Sequence, residues 1–258
     1  MKRCLALFLL AACVASVHAR NVRILCLGDS ITVGQTTNGT GGLIYNPLGS
    51  YRYMLEQMLN TTGVGYEYVV VFTENAAPWQ QNVFHTGISG MAIGPTYNNN
   101  DLSAKLYWVL PTYGGDWPDI ILFLLGINDT IRGVSGNQLN TNFQNVMNQI
   151  MVRRPKAKIF VSTLIGCTGN SEWQVFNSIL RGPLSPILAW QSAGKSISLV
   201  DINAQNIYPN LMWDTVHPNS AGQQVIAQQF FNAIKPTVMS FYKPRIADPG
   251  TSAQFGKG

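Results

Sequence analysis

Five short apolar runs, separated by stretches with a helical period, limit what this chain can fold into more than any other feature. They fall at residues 22–27, 66–73, 119–125, 157–165 and 196–202. In the first, Val22, Ile24, Leu25, Cys26 and Leu27 leave almost no polar position, as in a strand buried on both faces. Between the runs, residues 49–60 place Tyr51, Met54, Leu55, Met58 and Leu59 at i, i+3, i+4 spacing, which predicts a helix. Residues 101–110, 137–154, 171–193 and 217–234 read as further helices, the last opened by Pro218 and Asn219. Strands alternating with helices imply right-handed crossovers and a parallel sheet covered on both faces, an α/β fold.

At 258 residues the chain suits one such domain, expected over 20–242. Residues 1–19 carry Lys2 and Arg3, then an apolar stretch too short for a membrane span, then a small-residue exit at Ala19. That is the pattern of a secretory signal peptide, so an extracellular location is expected. Residues 243–258 lack apolar periodicity and read as a disordered tail.

The formal charge of +5 falls by two when the leader leaves, and the remaining basic residues are scattered. Nucleic-acid binding calls for a denser basic face, and no later run is long enough to enter a bilayer. Asn38-Gly39-Thr40 and Asn60-Thr61-Thr62 are glycan acceptor sequons in keeping with secretion. Of four cysteines, Cys26 and Cys167 outlast the leader. Secretion permits a disulfide between them, but the strand-interior place of Cys26 favours two free thiols. No Cys/His cluster has the spacing of metal ligands.

In an open parallel sheet, ligands bind outside the carboxyl ends of the strands. The first strand breaks there into Gly28-Asp29-Ser30, and the third ends in Gly126-Ile127-Asn128-Asp129. The loop after the second strand holds Gly87 and Gly90, where a backbone N–H can approach a ligand with no Cβ in the way. A serine nucleophile also needs a base, and the base an orienting acid. Beyond the leader the histidines are His85 and His217, and Asp214 stands three residues before His217. Each fragment alone is ordinary turn chemistry. Together, each in its required place in one strand order, they make Ser30 a candidate nucleophile, His217 its base and Asp214 the acid. Asp29 and Asp129 are expected to bond loop backbone. A glycan on Asn128, whose triplet also fits the sequon, would block the site.

The order GDS, glycine block, GxND, DxxHP resembles the GDSL or SGNH hydrolase superfamily, with matching blocks over residues 24–222. Its Ser, Gly, Asn and His correspond to Ser30, Gly90, Asn128 and His217. The resemblance implies a flavodoxin-like three-layer α/β/α sandwich with a five-stranded parallel sheet, and no metal or organic cofactor. It also implies an oxyanion hole made by the N–H groups of Ser30 and Gly90 and the Asn128 amide. "GSYR" at 49–52 and "HTGISG" at 85–90 look like the secreted carbohydrate esterases that include acetylxylan esterases. Arg52 and His85 are accordingly candidates to line the substrate pocket, although a surface arginine and a loop histidine explain them equally well.

The expected function is hydrolysis of small acyl esters, acetyl foremost, on carbohydrate by a monomer. Tyr45, Trp79, Tyr97, Trp117 and Trp213 lean toward sugar, since aromatic faces stack on pyranose rings; they serve equally as core. A lipase or arylesterase with the same machinery is the alternative. A carbohydrate-binding protein on an inactive scaffold is a minor one, weakened because Ser30, Asp214 and His217 are all present.

Overall fold

A computed structural model of the chain describes residues 20–37, 43–45, 49–69, 85–96, 99–110 and 118–241. The expected leader, the Asn38 sequon, Trp79, Tyr97, Trp117 and the tail lie outside the described residues, as does the end of the expected 66–73 strand.

The strand β1 (Val22–Gly28) is followed by the one-turn helix α1 (Ser30–Val33), an antiparallel ribbon of β2 (Gln35–Thr37) and β3 (Leu43–Tyr45), and helix α2 (Tyr51–Asn60). Then come β4 (Tyr66–Tyr68), β5 (Thr86–Gly87), α3 (Leu102–Val109), β6 (Ile120–Leu124), α4 (Ile127–Ile131) and α5 (Gly136–Arg153). The chain continues through β7 (Lys158–Ser162), α6 (Glu172–Arg181), α7 (Pro186–Ser192), β8 (Ile197–Val200), α8 (Ile207–Asn210) and α9 (Ser220–Met239).

Five strands run parallel in the order β4-β1-β6-β7-β8, as the apolar runs require. The short β5 adds to the same edge of β1 as β4, pairing Leu27 with Thr86 and Gly28 with Gly87. Every residue of β6 is buried, and so are six of the seven in β1, because helices cover both faces. On one side α2 packs on α9, where the rings of Tyr51 and Phe230 lie 5.5 Å apart. On the other, α3 meets α5 and α5 meets α6. Phe143 of α5 centres that layer, edge-on to Phe123 of β6, Phe176 of α6 and Trp190 of α7 at 5.6–5.8 Å.

Several helices start where short polar side chains satisfy first-turn amides. Ser50 caps α2, Asp101 caps α3, Ser135 caps α5, and Asn219 caps α9 by accepting from the Gly222 N–H. Proline at the start of α7 fits a position whose N–H has no helical partner. Cys26 and Cys167 are free and buried, and burial pushes the Cys26 thiol up to about 12. Among the described residues, no helix is long and apolar enough to cross a membrane.

Candidate active site

The break after β1 is a packing requirement before it is a chemical one. A Cβ on Gly28 would overlap Thr32 Oγ1 and come within 2.6 Å of the Leu124 carbonyl oxygen. The chain therefore turns tightly into α1, with Ser30 as its first residue. Asp29 caps this helix, Oδ1 accepting from the Ile31 N–H at 3.0 Å. As the opening residue of a helix, Ser30 has an N–H with no intrahelical acceptor, aimed out of the N-terminus.

The glycine block folds over the same rim. Ile88 N–H donates to Gly28 O at 3.1 Å, and Met91 N–H closes a turn on Ile88 O at 3.0 Å. Gly90 sits inside that turn at φ 71°, a left-handed backbone that favours glycine. Arg132 Nη2 donates to the Gly90 carbonyl at 2.6 Å. From the end of β6, Gly126 (φ 126°) turns the chain into α4, which carries Asn128 and Asp129. The Asn128 Nδ2 donates to Asp29 Oδ2 at 3.2 Å and to Met91 O at 3.0 Å. Its neighbours in space are thus the residue before Ser30 and the residue after Gly90. The three candidate oxyanion donors are brought to one rim.

Asp129 turns the other way and accepts from Ile93 N–H at 2.7 Å and Gly94 N–H at 3.0 Å. It fastens the glycine block to α4. Burial raises its carboxyl to about 6, against the Gly94 and Ile93 hydrogen bonds and the Arg132 charge. Burial raises Asp29 further, to about 7, with the nearby Asp129 charge adding to the effect. Asp129 bonds loop backbone, as expected, whereas the backbone partner of Asp29 lies in the first turn of α1. That Asp29 also holds the Asn128 amide was not visible in the sequence.

The loop before α9 supplies the remaining groups. Trp213 N–H donates to His217 O at 2.8 Å and Asn219 N–H to Leu211 O at 2.9 Å, closing residues 211–219 into a tight excursion. Inside it, Asp214 Oδ1 accepts from the Val216 and His217 N–H groups at 2.8 and 2.7 Å. Asp214 Oδ2 lies 2.8 Å from His217 Nδ1, and Thr36 Oγ1 donates to it at 3.4 Å. Burial alone would push this carboxyl up. The two backbone donors, the imidazole hydrogen bond and the imidazole charge outweigh it and hold Asp214 well below the usual carboxylate range. An ionised Asp214 fixes the proton on Nδ1, leaving Nε2 as the acceptor; it lies 2.9 Å from Ser30 Oγ. The arrangement can take a proton from Ser30 as its oxygen attacks and stabilise the imidazolium that results.

Arg52 and His85 are elsewhere. Arg52 is completely buried behind α1, its Nε donating to the Thr32 carbonyl at 2.7 Å. It is neither a pocket-lining nor a surface residue, because the first turn of α2 packs beneath α1 and turns its polar head to that carbonyl. His85 is also buried, its Nδ1 accepting from the Gly87 N–H at 3.0 Å, which shapes the edge next to β1. Of the aromatics expected to face a sugar, Trp213 is half-exposed beside Asp214. Among the described residues no group of three or more His, Cys, Asp or Glu could hold a metal ion.

No curated protein sequence matches significantly. Among solved structures, a family 3 carbohydrate esterase of Clostridium thermocellum superimposes with a TM-score of 0.68 at 20% identity, over 87% of this chain and 100% of that one. A carbohydrate esterase family 3 structure from Talaromyces cellulolyticus gives 0.64 at 23% identity, over 85% and 99%. The M. smegmatis aryl esterase gives 0.61 at 17% identity, over 83% and 98%. At these identities the likeness is one of fold. The model of the GDSL-like lipase/acylhydrolase family matches residues 26–225, most of the sequence. The chain belongs to that family and is a carboxylic ester hydrolase.

Proposed function

We propose that the protein is a secreted serine esterase that removes small acyl groups, acetyl foremost, from carbohydrate. The observation that carries this reading is the continuous relay from Ser30 Oγ to His217 Nε2 at 2.9 Å and from Nδ1 to Asp214 at 2.8 Å.

Ser30 Oγ attacks the ester carbonyl as its proton passes to His217 Nε2. Charge on the imidazolium is balanced by Asp214. The carbonyl oxygen, now an oxyanion, is held by the N–H groups of Ser30 and Gly90 and by the Asn128 amide. Both hydrogens of that amide are engaged in the resting arrangement, by Asp29 and Met91, so one must be shared with the oxyanion. The tetrahedral intermediate collapses, the C–O bond to the alcohol breaks, and His217 delivers its proton to the leaving oxygen. Water then attacks the acyl-enzyme by the same route, releasing the carboxylic acid and restoring Ser30. No step calls for a metal or an organic cofactor.

A carbohydrate substrate is supported by the half-exposed Trp213 beside Asp214 and by the carbohydrate esterases among the structural neighbours. Secretion is supported by the leader-like composition of residues 1–19. An acyl-chain series of p-nitrophenyl esters, run beside acetylated xylan, tests the substrate. Acetate release from xylan with a steep fall beyond short acyl chains is expected; preference for long chains would make the enzyme a lipase. A fluorophosphonate that labels wild type but not Ser30→Ala tests the nucleophile.

A further inference from the structure

Helix α1 is one turn long, and a helix that short does not hold itself together in water. Something else must keep Ser30 opposite His217. The inner side of α1 is formed by Thr32, fully buried and gripped twice by consecutive residues at the start of α2. The Tyr51 and Thr32 hydroxyls lie 3.2 Å apart, and Arg52 Nε–H donates to the Thr32 carbonyl at 2.7 Å. At the end of α1 the contact is direct: a Cβ on Gly34 would come within 2.8 Å of Ser50 Cβ.

The same turn of α2 is bonded to the helix behind the histidine. Tyr51 N–H donates to Gln223 Oε1 at 2.9 Å, in the first turn of α9, and Asn219, which caps α9, is two residues after His217. The Tyr51 ring packs on Phe230 of the same helix. Arg52 is held in turn by β4, where Tyr68 Oη donates to the Arg52 carbonyl at 2.7 Å. Glu56, one turn along α2 and equally buried, supplies a charge opposite to the guanidinium.

We propose that Tyr51 and Arg52 are positioning residues that set the register between Ser30 and His217, by tying the helix of one and the helix behind the other to a single turn of α2. A buried guanidinium is a weak stability device, since apolar replacements of similar volume are often neutral. What it provides here is a directed N–H on the backbone of α1, two residues from the reacting oxygen. The proposal rests on Ser30 being the nucleophile.

The test is a comparison of Tyr51→Phe, Arg52→Lys and Arg52→Met with wild type on p-nitrophenyl acetate, with thermal unfolding recorded for each. Misplacing a reacting group lowers kcat, so a fall of about 10- to 100-fold with KM changed less than about two-fold is expected for Tyr51→Phe and Arg52→Met. Arg52→Lys, which keeps a charged donor, should lie between them and wild type. Labelling of Ser30 by a fluorophosphonate should slow in parallel. Unchanged kcat in folded variants overturns the proposal, whether or not the melting temperature falls. A raised KM at constant kcat overturns it too, because it would put Arg52 in contact with substrate. Should Arg52→Met fail to fold, Tyr51→Phe, which loses one hydroxyl, decides. Fluorophosphonate labelling of Ser30→Ala is scored separately, and its persistence would remove the nucleophile assignment itself.

Discussion

The Asn128 side-chain amide donates to the Asp29 carboxylate at 3.2 Å, so the residue before the proposed nucleophile orients a proposed oxyanion donor. The other Asp29 oxygen accepts from Ile31 N–H, and one carboxylate thereby joins the serine helix to α4. Its pKa is raised from 3.8 to about 7, chiefly by burial. Between those values the folded protein holds a proton that the unfolded chain has released, so this contribution to stability is complete below 3.8 and is lost as pH rises through about 7. In Asp29→Asn the decline of melting temperature over that window should be shallower than in wild type. Identical slopes in thermal melts would mean that Asp29 stays ionised in the folded protein.

Asp214 has the opposite sign. Its folded pKa is depressed, so the stability it adds is present above 3.8 and is lost as pH falls through the folded value. Asp214→Asn should melt below wild type at neutral pH and converge with it in strong acid. An amide there no longer enforces the Nδ1–H tautomer, and kcat should fall on the order of 10³- to 10⁴-fold. Steady-state kinetics beside a pH series of melts reads both effects.

Asn128→Ala removes one proposed oxyanion donor, and its side chain makes no hydrogen bond to Ser30 or His217 themselves. The expected loss is about 10²- to 10³-fold in kcat. Retained turnover would leave the backbone amides of Ser30 and Gly90 as the whole oxyanion site.

Gly28→Ala should cost about 1–3 kcal/mol of stability, the usual range for forcing extra volume into a packed region. Thr32→Ala in the same chain relieves the overlap with Oγ1 but not the approach to the Leu124 carbonyl, so rescue should be partial. Denaturant unfolding of the single and double variants measures this directly.

Cys26 and Cys167 should resist a thiol reagent in the native protein and react once it is unfolded. Burial raises both thiols, with Cys26 reaching about 12. Rapid native labelling of either would contradict the packing around it.

The parallel sheet was legible because β1 and β6 are covered on both faces, which leaves runs with almost no polar residue. The site was legible in part because Ser30 and Asn128 each follow a glycine break at a strand end and Asp214 stands three residues before His217. What lies behind the site was not. The burial of Arg52 depends on α2 packing beneath α1, and charge in a helical pattern ordinarily signals a solvated face. The short α1 and α4 were also hidden, since GDS and GIND read as turns until tertiary bonds extend them into helices. Arg132, which holds the Gly90 carbonyl, caps the end of α4 and carries no signal of its own in the sequence.

Ser30 and His217 are 187 residues apart in the sequence, and the loop that carries His217 leads into α9, which packs on α2. A ribosome has delivered Ser30 long before His217 exists. A nascent or C-terminally truncated chain therefore holds a serine with nothing to activate it. Hydrolytic activity during refolding reports assembly of two parts of the domain far apart in sequence, and it should recover no earlier than the burial of the Tyr51–Phe230 pair.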